Sequence, residues 1–110
     1  MHVAGEWYYV VPLSVGGAAP AELGQPREFM PALEKQHTSK ADVLAQLDEA
    51  WAHCRGALDG ADPSKLLGLY PNIRMSFERA TLRVSGDQHE HLGQLIAYAR
   101  AIGVKPPWSK

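Results

Sequence analysis

The chain has 110 residues, 45% of them hydrophobic and 21% charged, with a formal net charge of −1; that is one domain with room for a modest core. The near-zero charge and the lack of any basic run argue against a nucleic-acid partner or an anionic membrane surface. A single cysteine, Cys54, excludes an internal disulfide framework. With no signal peptide and no spanning apolar stretch, the expectation is a cytoplasmic protein.

His2 to about Val15 is predicted as a first helix. By propensity alone, the aromatic and β-branched run Trp7-Tyr8-Tyr9-Val10-Val11 also suits a buried strand. Helix is favoured because His2, Glu6 and Tyr9 fall on one helical face and Gly16-Gly17 supplies a stop; Pro12 should kink or end it early. Residues 16–38 carry Pro20, Gly24, Pro26 and Pro31 and read as a long loop with a short helical turn near Glu28 to Leu33. His37 in that loop is free to fold over a site.

Ser39 is an N-cap candidate with Asp42 three residues on. From there Val43, Leu44, Leu47, Ala50, Trp51, Cys54 and Leu58 form one apolar stripe, closed by Gly60 and Pro63. Cys54 lies on the stripe and reads as a core residue; His53 lies off it and reads as a boundary residue. Ala61 to Asn72 is a connector with a helical turn near Ser64 to Leu67. Ser76 caps a last helix running to about Ile102, with a local bend allowed at Gly86. Gly103 and Pro106-Pro107 stop it, and Trp108 is expected to pack the tail down. Three main helices and no convincing strand give an all-α, bundle-type protein.

The last helix carries a polar seam. Asp87 and His91 lie one turn apart on one face, and Gln94 and Tyr98 continue the stripe. Polar groups on a buried face need partners, so the seam is either a metal or substrate site or a satisfied hydrogen-bond network. Asp87 and His91 also make a serviceable i,i+4 pair without any ligand. His89 projects from the opposite side of the helix and is expected to be exposed or at a dimer contact, and Glu90 is a rim residue.

The run His89-Glu-His-Leu-Gly-Gln-Leu-Ile-Ala-Tyr-Ala-Arg-Ala-Ile-Gly-Val-Lys-Pro-Pro-Trp resembles the C-terminal signature of the DinB-like family of metal-dependent four-helix proteins. In that family the last bundle helix carries two metal ligands four residues apart. The second is followed by Gly-Gln, a Tyr-x-Arg stretch, Gly and a Pro-Pro tail. His91, Gly93-Gln94, Tyr98, Arg100, Gly103 and Pro106-Pro107 match this pattern. The first ligand, usually histidine, falls on Asp87, which changes the charge and softness of the site. At the other end, His2-Val-Ala-Gly-Glu-Trp-Tyr-Tyr is similar to the His-x-Ala-x-x-x-Trp/Tyr stretch whose histidine is the third ligand. The usual first bundle helix has no counterpart here.

The resemblance implies His2, Asp87 and His91 as ligands to a divalent ion (zinc, nickel or manganese), with open positions for water or a thiolate. Glu6, one turn from His2, is then a candidate catalytic base or a carboxylate behind the ligands. The implied activity is a metal-dependent transferase or hydrolase-like reaction on a small-molecule thiol or another substrate. The alternative is a truncated, non-catalytic member acting as a structural or interaction module. A bundle short of one helix exposes apolar stripes that a second copy would cover, so a homodimer is expected.

Overall fold

The computed structural model describes residues 1–35, 39–70, 73–105 and 107–108. The expected first helix is broken in two, α1 (His2–Tyr8) and α2 (Val10–Ser14). The break falls at Tyr9, with φ −117° and ψ −61°. Pro12 explains it: the ring nitrogen has no proton for the Tyr8 carbonyl, and the ring crowds that carbonyl. Gly16, at φ 83°, ends α2 in the left-handed region, and the Gly17 N–H donates to the Pro12 carbonyl at 2.8 Å.

The segment expected to be mostly loop contains a 3₁₀ turn (Ala21–Leu23) and a ten-residue helix, α3 (Pro26–Lys35). Two prolines disguised that helix in the sequence. Pro26 stands at its first position, where no donor is needed. Pro31 deprives only the Arg27 carbonyl, on an exposed residue that water can reach. The apolar side of α3 drives its docking. Leu33 is 1% exposed and packs with Ala4, Tyr8, Tyr9 and Ala50, while Phe29 and Met30 close the edge of that cluster. Gly5 permits the approach, because a Cβ there would collide with the end of the Met30 side chain.

Helix α4 (Lys40–Asp59) starts on a full capping box. The Ser39 hydroxyl accepts from the Asp42 N–H at 3.2 Å, and the Ser39 N–H donates to the Asp42 carboxylate at 3.1 Å. The expected connector beyond Gly60 is instead an antiparallel hairpin, β1 (Leu66–Tyr70) with β2 (Ile73–Ser76). Its buried pair, Leu67 opposite Met75, packs on Ala80. Ser76 ends β2 and caps α5 (Phe77–Ala101), its hydroxyl accepting from the Arg79 N–H at 3.3 Å. Helix α5 passes Gly86 without a break and stops before Gly103, at φ 80°.

The chain is thus mostly helical, as expected, with the hairpin added. The first core cluster holds α1 between α3 and α4. A second, of Val11, Cys54 and Val84, ties α2, α4 and α5 together. Trp108 does not pack the tail down; it is 64% exposed. His37 and Pro106 lie outside the described residues. No helix is long and apolar enough to cross a membrane among those described.

Candidate metal centre

Helix α1 projects His2 and Glu6 from one face, one turn apart, and α5 brings His91 against them from the far end of the sequence. Glu6 is the buried member at 5% exposed, and a buried carboxylate must be held by donors. Its two oxygens are divided between two tasks. Oε2 accepts from the Gln88 amide at 2.7 Å, and Oε1 faces His91 Nε2 at 3.1 Å and His2 Nε2 at 3.3 Å. Gln88 is fixed at its other end as well, its carbonyl accepting from the Trp7 indole N–H at 2.8 Å. With donor and acceptor ends both committed, the Gln88 amide has one orientation, and Glu6 has one oxygen to offer.

His2, Glu6 and His91 each offer a ligand atom, all within 4.8 Å of one another, and form a group that can hold a metal ion. The two histidine rings meet edge-on, with centroids 5.0 Å apart. Ligand bonds of about 2.0–2.2 Å in a tetrahedral site place neighbouring donor atoms about 3.3–3.6 Å apart. The 3.1 and 3.3 Å separations from Glu6 Oε1 sit close to that span. Two imidazoles and one carboxylate are a donor set suited to zinc and to other first-row divalent ions.

The carboxylate in this trio is Glu6, the residue the sequence suggests as a base or supporting group. Asp87, suggested as a ligand, lies outside the trio: its Oδ1 is 4.0 Å from His91 Nε2, and its side chain is 43% exposed. Burial opposes a charge on His91, yet its pKa stands above the ordinary histidine value. The Glu6 carboxylate outweighs burial by hydrogen bond and by charge, aided by Gln94 and Asp87. Beside the trio, a pocket of about 300 Å³ is lined by Val3, Gln94, Leu95 and Tyr98.

Comparison of the chain with protein-family models, curated proteins and solved structures finds no match. The site therefore rests on its own geometry.

Two residues of the site escape the sequence reading. Gln88 sits between the buried Val84 and His91 at four- and three-residue spacing, on the side of α5 that meets α1 and α2; that spacing was available. Glu34 was not, because the expected helical turn ended at Leu33 and nothing in the sequence directs it to His2. It comes back to His2, its carboxylate hydrogen-bonding Nδ1 of that ring. His53 bonds the Ala18 carbonyl at 2.9 Å, away from the trio. His89 is exposed and borders a separate apolar groove of about 460 Å³ between α4 and α5.

Proposed function

We propose that this is a divalent-metal-binding helical protein of DinB-like type, in which His2, Glu6 and His91 hold zinc, nickel or manganese. The supporting observation is the buried Glu6 carboxylate, with one oxygen held by Gln88 and the other 3.1 and 3.3 Å from two imidazole nitrogens. Bound there, a divalent ion supplies Lewis acidity, which lowers the pKa of a coordinated water or thiol. The chain's own residues do the positioning. Gln88 restricts Glu6 to a single ligand oxygen, and that leaves coordination positions open. Gln94 and Tyr98 border the adjoining pocket where a small-molecule thiol or substrate would lie, and Asp87 flanks His91, its Oδ1 4.0 Å from the ring Nε2.

The test is elemental analysis of untagged protein, with His2→Ala and His91→Ala alongside. Near-stoichiometric metal in the wild type, lost in both variants, is expected. No uptake after incubation with zinc, nickel or manganese defeats the reading.

A second reading has its own observation. No buried side-chain nitrogen or oxygen lacks a hydrogen-bond partner among the described residues. The seam is therefore satisfied without an ion and serves equally as a structural network in a non-catalytic interaction module. In that case a chelator leaves stability unchanged at pH 8.

The same proposal includes a homodimer, with a second copy seated on the apolar groove between α4 and α5. Trp7, Trp51, Cys54, Leu58 and Val84 line that groove, and Trp51 and Leu58 are 45% and 41% exposed. A folded monomer of 12.0 kDa has an accessible area of about 6,000 Å². This chain exposes 7897 Å². The excess is about 1,900 Å², and it is spread over the whole chain, the groove included.

A further inference from the structure

We infer that Glu34 is the positioning residue of the metal centre: its carboxylate accepts a hydrogen bond from Nδ1–H of His2 and so presents Nε2 as the ligand atom. The inference rests on the metal-binding reading above and adds to it a residue outside the ligand trio, from a different helix.

The two nitrogens of His2 face in different directions. Nε2 points to Glu6 Oε1, 3.3 Å away, inside the trio. Nδ1 is hydrogen-bonded to Glu34 Oε1, across 32 residues of sequence. A neutral imidazole has one donor nitrogen and one acceptor nitrogen. A carboxylate only accepts, and both ring nitrogens face one, but only the closer Glu34 contact is a hydrogen bond; with a cation on Nε2, Glu34 holds the tautomer that carries its proton on Nδ1. Metal-binding histidines generally donate their second ring N–H to a carboxylate or carbonyl, which fixes the ring and raises its basicity.

His2 needs such a partner more than His91 does. Its side chain is 49% exposed, against 18% for His91, so packing does little to choose its rotamer. Glu34 is available because α3 is anchored next door: Leu33, the adjacent residue, is 1% exposed in the first core cluster. The partner therefore stands on a docked helix, although its own side chain is 44% exposed. That exposure also makes Glu34 replaceable without opening the core.

The experiment measures zinc affinity by competition with a chromophoric chelator for the wild type, His2→Ala, Glu34→Ala and Glu34→Gln, together with the visible spectrum of the cobalt-loaded forms. Glu34→Ala is expected to weaken zinc binding about 10- to 100-fold and to shift the cobalt bands. Glu34→Gln keeps an oxygen that accepts a hydrogen bond from Nδ1–H, so it should restore most of the affinity and the wild-type spectrum. If the wild type itself takes up no zinc or cobalt, the metal-binding reading fails and this inference with it. If the wild type binds and His2→Ala does not, but Glu34→Ala matches the wild type in affinity and spectrum, the metal site stands and the role of Glu34 is overturned. Equal losses in Glu34→Ala and Glu34→Gln also overturn it, since charge rather than hydrogen-bond acceptance would then be what matters.

Discussion

At the scale of single residues, His91 makes the metal-bound and metal-free proteins respond to pH in opposite ways. Its folded pKa lies above the ordinary value, because the Glu6 carboxylate outweighs the opposing burial. A group with a raised folded pKa contributes stability that is complete below its unfolded pKa and is lost as pH rises through the folded value. In chelator, this contribution is therefore larger at pH 5.5 than at pH 8. Metal reverses the trend, since His91 must lose its proton to bind. At pH 8 and free metal about 100 times Kd, stabilisation is about 2.7 kcal/mol, fading toward pH 5.5. Melting curves at both pH values, with metal and with chelator, check the prediction. His91→Ala should remove both the metal response and its share of the pH response.

At the scale of elements, α3 is the part on which the site depends and was only partly visible in the sequence. Leu33→Ala removes the one fully buried side chain of α3 and should cost about 2–5 kcal/mol, read as a lower urea midpoint with an unchanged slope. Ser39, Gly60, Ser76 and Gly103 marked the ends of α4 and α5 in the sequence because capping chemistry is local: each needs only neighbours within a turn. The break at Tyr9 was legible for the same reason, as Pro12 acts on the carbonyl four residues back. Helix α3 was legible only as a short turn near Glu28 to Leu33, and the hairpin was not legible. The former hides behind prolines placed where a helix tolerates them. The latter is a short apolar run around Gly68 whose pairing depends on a partner strand. The site divides along the same line. His91 stood out by residue type and spacing, and His2 and Glu6 through the family resemblance, but which carboxylate joins the histidines depends on how α1 meets α5. No spacing within one helix reveals that.

At the scale of the whole molecule, the chain is more extended than its size requires. Its radius of gyration is 15.3 Å, against about 13 Å for a compact chain of this length. Together with the excess accessible area, this predicts a scattering mass about twice the 12.0 kDa of the chain at micromolar concentration. Trp51→Glu places a charge at the margin of the groove and should return the monomer mass. A wild-type mass at the monomer value across that range defeats the dimer.

The break at Tyr9 also governs how the site opens. It leaves two of the three donor residues on α1, only seven residues long. A helix that short does not hold its shape in water by itself; it is ordered by contact with α3 and α4. Segments of this kind open by themselves, at a fraction of the free energy needed to unfold the whole chain. The third donor stands on α5, a helix of 25 residues. An ion bridging the two would join a segment that opens easily to one that does not. Amide protons of α1 that otherwise exchange through small, local excursions would then wait for much larger ones.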